Sequence, residues 1–246
     1  MATFKKTEKI QKLDSKKKRT ASSRQWLLRQ LNDPYVAKAR KDGYRSRAAY
    51  KLIEINDKYK FIKKGCRILD LGAAPGGWCQ VAKTIVGQNG FVVGVDLQDM
   101  IPITDVTLLK GDFNDESIHH QIMNTFAGEK ADVILSDMAA SACGMTDVDH
   151  IRLMLLLESV YHFSFHLLRP GGSFIAKVLR GGTEKDLLTQ LKQSFAKVTH
   201  FKPPSSRQES SELYVIAQGF RPAKGGNHSE TPASSDNIIN INNEKL

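Results

Sequence analysis

Apolar residues in this chain gather into short runs that alternate with longer amphipathic stretches. Short runs are typical of buried strands, and the stretches between them have the length and spacing of helices. The pattern predicts strands at 67–71, 91–96, 106–110, 132–136, 173–178 and 213–218, with a further one at 198–202. It predicts helices at 23–41, 46–58, 78–86, 115–127, 148–168 and 183–196. This alternation indicates an α/β fold with a mostly parallel sheet covered by helices on both faces.

A glycine-rich turn follows the first predicted strand and precedes a predicted helix. It reads Asp70-Leu71-Gly72-Ala73-Ala74-Pro75-Gly76-Gly77-Trp78, an acid-x-Gly-x-x-x-Gly pattern that differs from the G-x-G-x-x-G of a dinucleotide site. Glycine lets the backbone turn sharply and approach a ligand closely. The turn therefore predicts a ligand site, and the alternative is a purely structural strand-to-helix connection.

Two further acids follow later strands. Asp96 ends the second run 20 positions beyond Gly76, where doubly wound folds hold ribose hydroxyls. Asp112 follows the third run and could accept a hydrogen bond from an adenine amine. A lone acid in such a place is often a turn former or a helix N-cap. However, the carboxyl ends of parallel strands meet at one edge, so Asp70, Asp96 and Asp112 together favour a shared ligand site.

Four charged residues lie beside the predicted elements. Asp137 and Lys177 stand near the ends of two strands, Glu212 opens another, and Lys51 lies in an amphipathic stretch. A charge beside a buried run costs free energy unless it is paired or functional. Two lysines and two carboxylates in such positions predict one shared cleft.

These segments resemble the FtsJ (RrmJ) family of 2′-O-methyltransferases of large-subunit ribosomal RNA. The likeness runs from about residue 22 to residue 220. It rests on the glycine-rich turn, Arg45-Ser46-Arg47-Ala48-Ala49-Tyr50-Lys51-Leu52, Ser136-Asp137-Met138-Ala139 and Pro170-Gly171-Gly172-Ser173-Phe174-Ile175-Ala176-Lys177-Val178. The resemblance implies a Rossmann-like, S-adenosylmethionine (SAM)-dependent methyltransferase fold with a seven-stranded sheet that ends in an antiparallel pair.

The same resemblance implies the reaction and its residues. SAM would be the methyl donor, and the ribose 2′-hydroxyl of a uridine in 23S ribosomal RNA of the large (50S) subunit would be the acceptor. The implied catalytic tetrad is Lys51, Asp137, Lys177 and Glu212. The implied cofactor contacts are Asp70, Gly72, Gly76, Trp78, Asp96, Asp112 and Asp137, with Asp70 facing the methionine amine. The chain departs from the family pattern at residues 140–144, where Ala-Ser-Ala-Cys-Gly replaces a Pro-Asn continuation. In the family this segment would border the substrate pocket, so the resemblance does not extend to the fine choice of target, whereas all four tetrad positions match.

A mechanism follows from that implied tetrad. Lys177 would hydrogen-bond the 2′-hydroxyl and accept its proton, while Asp137 and Glu212 position Lys177 and Lys51 balances charge. Neighbouring carboxylates favour a charged lysine, whereas a general base must be neutral. We therefore expect Lys177 chiefly to orient the oxygen and to receive the proton late.

The composition fits one domain, predicted at 23–220, between two polar ends. The chain has 246 residues, of which 41% are hydrophobic, enough to bury one core. Residues 1–20 carry eight basic and two acidic side chains, a net charge of +6. We expect residues 1–22 to form a basic disordered arm that either binds a polyanion or only aids solubility. Residues 221–246 are polar and predict a disordered tail.

Several classes of protein are disfavoured by the same sequence. The three cysteines have no C-x-x-C spacing and the seven histidines form no ligand pattern, which argues against a disulfide scaffold or a metal site. No signal peptide is evident, and Glu158 interrupts the longest apolar stretch, 153–168, which favours a buried helix over a membrane span. We expect a cytoplasmic monomer that binds neither metal nor membrane.

A basic cluster interleaved with tyrosines precedes Lys51. Cations bind phosphates, and aromatic faces can stack an unpaired base, so this cluster predicts RNA contact. Its members are Lys38, Arg40, Lys41, Arg45 and Arg47, with Tyr35 and Tyr44.

Three other functions stay open. An NAD-dependent oxidoreductase would share the sheet, but fold alone does not fix function. A 2′-O-methyltransferase of transfer RNA or another RNA would share the tetrad, and a ribosome-assembly factor could retain SAM affinity without catalysis. The short chain without an added domain favours a ribosomal substrate.

Overall fold

The computed structural model describes residues 20–139, 146–180 and 185–222. The predicted basic arm (1–22) and polar tail (221–246) lie almost entirely outside these ranges. The 140–144 segment also lies outside the described residues. The expectations about these three segments therefore stay predictions.

A seven-stranded sheet forms the centre of the fold. Its strands are β1 Arg67–Leu71, β2 Phe91–Asp96, β3 Thr107–Lys110, β4 Ala131–Ser136, β5 Leu168–Leu179, β6 Phe195–Phe201 and β7 Glu212–Phe220. They are ordered β3-β2-β1-β4-β5-β7-β6. The first five strands pair in parallel, and β7 runs antiparallel to both β5 and β6. The predicted α/β class, the mostly parallel sheet and the closing antiparallel pair are thereby confirmed.

Helices cover both faces of this sheet. They are α1 Ala21–Leu31, α2 Pro34–Lys41, α3 Ala48–Tyr59, α4 Gly77–Val86, α5 Glu116–Phe126, α6 Thr146–Leu167 and α7 Lys185–Ser194. One apolar core joins the sheet to α5, α6 and α7, and a second joins it to α3 and α4. Because the sheet is buried on both faces, its strands read as continuous apolar runs. Within the described ranges, no helix has the length and hydropathy needed to cross a membrane.

The predicted helix at 23–41 is two helices, α1 and α2. Asp33 caps α2, since its side chain accepts a hydrogen bond from the backbone N–H of Tyr35 at 3.0 Å, and Pro34 follows at the first helical position. An aspartate cap followed by proline is a helix-start signal, and it overrides the continuous helical periodicity of this region.

The strand order reverses at β1, which pairs with β2 on one side and β4 on the other. In open α/β sheets, ligands bind in the crevice at such a reversal, beyond the carboxyl ends of the strands. The glycine-rich turn after β1 and the Asp137–Ala139 segment after β4 both lie at this point. The fold thus brings the two principal predicted motifs together.

Candidate active site

The glycine-rich turn lies against the segment that follows β4. Gly72 has a φ of +74°, and a Cβ placed on it would lie 2.7 Å from the backbone nitrogen of Met138. Any larger residue would therefore have both a strained backbone and a steric clash. The backbone N–H of Asp137 donates to the carbonyl of Leu71 at 3.0 Å, which extends the β1–β4 pairing to this turn.

A cavity of about 650 Å³ opens beside this contact. Its walls come from the ends of β1, β2, β3 and β4 and from one face of α6. The residues most relevant to its chemistry are Gly72, Asp96, Asp112, Phe113, Asp137, Met138, Arg152 and Leu155. Three carboxylates, those of Asp96, Asp112 and Asp137, thus face one cavity, whereas Asp70, which the sequence grouped with the first two, does not line it.

Asp96 and Asp112 combine a turn-forming role with exposure to the cavity. The carboxylate of Asp96 accepts a hydrogen bond from the backbone N–H of Ala74 on one oxygen and from that of Gln98 on the other, both at 2.9 Å. One oxygen of Asp112 accepts from both the backbone and the side-chain nitrogen of Asn114, again at 2.9 Å. These bonds fix both carboxylates and leave lone pairs for a ligand, since a carboxylate has about four acceptor sites. The turn-former and ligand interpretations are therefore compatible.

Asp70 lies behind the turn and has no exposed surface. The thiol of Cys79 donates to one of its oxygens at 3.1 Å, while the other, Oδ1, has no hydrogen-bond partner among the described residues. Burial, reinforced by the charges of Asp137 and Asp96, raises the pKa of Asp70 to about 7. A buried oxygen without a partner is costly, and a ligand amine or a bridging water at the turn would satisfy it.

Lys177 and Asp137 form the first half of the predicted tetrad. Ala176 pairs with Ser136 in the β4–β5 register, so the next residues, Lys177 and Asp137, lie side by side. The Lys177 ammonium donates to the backbone carbonyl of Asp137 at 2.6 Å and lies 3.2 Å from its carboxylate oxygen Oδ1. The two side chains are only 12% and 18% exposed, so this ion pair is largely shielded from water.

Lys51 and Glu212 form the second half. Lys51 lies in the first turn of α3, and Glu212 begins β7. The Lys51 ammonium lies 2.7 Å from one oxygen of Glu212 and 2.9 Å from the other. This pair is also mostly buried, with side-chain exposures of 13% and 16%.

Tyr214, which the sequence analysis did not identify, joins these two ion pairs. Its hydroxyl donates to Asp137 Oδ1 at 2.8 Å and accepts from Lys51 at 3.3 Å. Burial, followed by the nearby carboxylates of Asp137 and Glu212, raises the pKa of Tyr214 well above its usual value near 10. The residue therefore stays a neutral donor, and the four predicted residues with Tyr214 form one continuous network.

Comparison with known proteins identifies this arrangement. The family model described as FtsJ-like methyltransferase matches residues 44–220, which span all five network residues. The chain belongs to the FtsJ-like methyltransferase family. It is an enzyme of the α/β methyltransferase class, and the predicted resemblance is confirmed.

Individual relatives agree with this assignment. The chain is 53% identical over 214 residues to ribosomal RNA large subunit methyltransferase E of Granulibacter bethesdensis, covering 87% of this chain and 92% of that one. It is 53% identical over 215 residues to the protein of the same name from Parvibaculum lavamentivorans, covering 83% and 84%. Among solved structures, it resembles a Plasmodium falciparum protein provisionally named a ribosomal RNA methyltransferase. That match has a TM-score of 0.64 and 35% identity, and covers 72% of this chain and 98% of the other.

Three of the cofactor contacts expected from the FtsJ-like pattern do not line the cavity: Asp70, Gly76 and Trp78. The Trp78 side chain is 3% exposed, donates its ring N–H to the carbonyl of Ala48 at 2.8 Å and packs 5.7 Å from the Tyr214 ring. Gly76 faces Arg45 and Ile103, and its φ of +109° ends the turn. Gly76 shapes the turn, and Trp78 packs against the network residue Tyr214, so a direct cofactor contact from Trp78 would have to come from its backbone.

Arg45 and Arg47, predicted to contact RNA, are engaged within the protein. Arg45 donates to the carbonyls of Pro75, Ile101 and Pro102 at 3.1, 2.6 and 2.8 Å, and so ties the glycine-rich turn to the loop after β2. Arg47 pairs with Asp33 and donates to the carbonyl of Ser205. Both arginines therefore have structural roles within the protein, and the RNA contact predicted for them stays a prediction.

Lys38, Arg40 and Lys41 lie on α2 and are exposed. Lys38 additionally lies 4.4 Å from the centre of the Tyr50 ring. The RNA contact predicted for the basic cluster stays a prediction, and these three residues are its exposed members. Across the described ranges, no group of three or more His, Cys, Asp or Glu side chains is arranged to hold a metal ion.

Proposed function

We propose that this enzyme transfers a methyl group from SAM to the ribose 2′-hydroxyl of a uridine in 23S ribosomal RNA. The observation that carries the proposal is the network of Lys51, Asp137, Lys177, Glu212 and Tyr214 at the edge of a carboxylate-lined cavity. The names of the relatives from Granulibacter and Parvibaculum support ribosomal RNA of the large subunit as the substrate class.

The acidic lining of the cavity supports SAM as the methyl donor. Asp96 would bind the ribose hydroxyls and Asp112 the adenine amine from the wall of the cavity. Asp70 is buried behind that wall, so its unpartnered oxygen would reach the methionine amine only through a bridging water or after a shift of the turn. When bound, SAM supplies a methyl group on a positively charged sulfur, which is already strongly electrophilic. The protein must therefore contribute mainly alignment, which can lower the barrier by several kcal/mol.

Lys177 orients the acceptor hydroxyl in this proposal. The Lys177 ammonium has three N–H donors. One donates to the backbone carbonyl of Asp137 and a second faces its carboxylate, so the third would donate to the 2′-oxygen. The ammonium orients an oxygen lone pair towards the methyl group. The hydroxyl proton is lost late, once the oxygen has begun to bond to carbon: Lys177 releases one of its own protons to water and takes up the hydroxyl proton in its place. Asp137 fixes Lys177, while Lys51 and Glu212 hold Asp137 in place through Tyr214.

The substrate is proposed to be RNA within the large (50S) subunit, and the enzyme to act as a monomer in the cytoplasm. The test is to incubate the protein with unmodified large subunits, naked ribosomal RNA or transfer RNA, each with methyl-labelled SAM. We expect label in the ribosomal samples at alkali-resistant linkages, which mark 2′-O-methylated ribose. Label confined to bases would overturn the proposal, and preferential labelling of transfer RNA would identify a different substrate. SAM binding without any incorporation would favour an assembly factor.

A further inference from the structure

The loop that connects β6 to β7, residues 202–211, reaches the catalytic network. It contains two consecutive serines, Ser205 and Ser206, with exposures of 0% and 7%. Serine in a connecting loop is usually exposed. Two buried serine hydroxyls in such a loop therefore call for specific partners.

Ser206 contacts a member of the tetrad directly. Its hydroxyl donates to Glu212 Oε1 at 3.0 Å, and the same oxygen lies 2.7 Å from the Lys51 ammonium. An ammonium attracts a carboxylate with little directional preference, because it acts as a compact point charge. A hydroxyl donor has a narrower angular preference, so the Ser206 contact selects one orientation of the Glu212 carboxylate.

Ser205 fastens the same loop to α3. Its backbone N–H and its hydroxyl both donate to Glu54 Oε2, at 2.8 and 2.7 Å. Glu54 lies three residues beyond Lys51, on the same face of the helix. The 202–211 loop therefore holds both partners of the Lys51–Glu212 pair, Glu212 through Ser206 and the helix of Lys51 through Ser205.

We propose that Ser206 is a positioning residue for methyl transfer, which acts through Glu212 to fix Lys51 and, through Tyr214, Asp137. Ser205 and Glu54 hold the loop in the place from which Ser206 can act. This inference rests on the proposed 2′-O-methyl transfer. It assigns to the loop a role in the chemical step, beyond closing the β6–β7 hairpin.

The test compares Ser206→Ala with Ser206→Thr, which keeps the hydroxyl, and with Ser211→Ala in the same loop. Ser211 is exposed and its side chain does not touch the network, so it is a matched control. Methylation of unmodified large subunits gives kcat and the KM for RNA, and calorimetric titration gives the Kd for SAM. Thermal unfolding of each full-length variant shows whether the fold is kept.

We expect Ser206→Ala to lower kcat on the order of tenfold, as for loss of one hydrogen bond to a charged group, with KM and Kd within about twofold. Ser206→Thr should keep at least about half of the wild-type kcat, and Ser211→Ala should match wild type. The inference is overturned if Ser206→Ala keeps kcat within about twofold, if its defect lies only in KM or thermal stability, or if threonine fails to restore kcat. Failure of the wild-type protein to methylate ribose would instead refute the proposed function.

Discussion

Replacement of Tyr214 by phenylalanine isolates the hydroxyl that joins the two ion pairs. Phenylalanine keeps the aromatic ring, which is fully buried and packs against Trp78, so little apolar contact is lost. The change removes the donor to Asp137 and the acceptor for Lys51. Neither charged group is left alone, because Asp137 keeps Lys177 and Lys51 keeps Glu212.

The magnitude follows from these contacts. A hydrogen bond to a charged group contributes about 1.5–3 kcal/mol, and replacement by a group of the same shape avoids a cavity cost. We expect the free energy of unfolding to fall by about 1–3 kcal/mol. If the activation free energy of methyl transfer rises by a similar amount, kcat falls about ten- to a hundredfold, since about 1.4 kcal/mol corresponds to a factor of ten in rate.

The assay is single-turnover methylation of unmodified large subunits at saturating SAM, with urea unfolding and SAM titration on the same preparation. The Kd for SAM should stay within about twofold, because Tyr214 does not line the cavity. A Tyr214→Phe enzyme with a wild-type single-turnover rate would refute the claim that this hydroxyl links the two halves of the site. A loss confined to SAM affinity would do so as well.

Three further perturbations test the surroundings of the site. Arg45→Ala removes three bonds to loop carbonyls and should weaken SAM binding about tenfold by calorimetry, whereas unchanged binding would show that the loops hold without it. Asp70→Asn tests the raised pKa of the Asp70 carboxyl. Because folding raises this pKa to about 7, the free energy of unfolding of the wild type falls as pH rises from about 4 through 7, whereas that of the variant lacks this contribution; the difference reaches up to about 4 kcal/mol. Urea unfolding at pH 5 and pH 8 checks this, and a difference independent of pH contradicts it. Combined alanine replacement of Lys38, Arg40 and Lys41 should make the fall of log RNA affinity with log salt concentration shallower, reducing the magnitude of the slope by about 2–3. An unchanged slope would show that these three residues do not contact RNA phosphates.

The strands and most of the helices could be predicted from the sequence because the sheet is buried on both faces. Strands with two buried faces carry continuous apolar runs, and these are the clearest pattern in the chain. The acids at the strand ends could be predicted for a related reason, since parallel strands present their carboxyl ends at one edge.

Tyr214 could not be singled out from the sequence because a tyrosine inside an apolar strand is an ordinary core residue. A signal was nevertheless present, since residues two apart on a strand share a face, and Tyr214 lies two positions beyond Glu212. Only the pairing of Lys177 with Tyr214 across β5 and β7 shows that this face belongs to the site.

For Arg45 and Arg47, by contrast, the sequence pattern singled out the residues but did not reveal their partners within the protein. Their charge and their aromatic neighbours suggested RNA, but the sequence does not show which partners a cation has. The partners of Arg47 lie 14 and 158 positions away, at Asp33 and Ser205. Such distant contacts depend on how α2, α3 and the 202–211 loop pack, and no local pattern specifies that packing.

The most direct test of the central claim is the single-turnover rate of Lys177→Ala on unmodified large subunits, with SAM affinity measured in parallel. Lys197→Ala, which removes an exposed lysine from β6, is the matched control. We expect Lys177→Ala to lose at least about a hundredfold in rate while SAM affinity and the Lys197→Ala rate stay near wild type. A Lys177→Ala enzyme that retained most of its single-turnover rate would contradict the assignment of Lys177 as the residue that orients and deprotonates the acceptor hydroxyl.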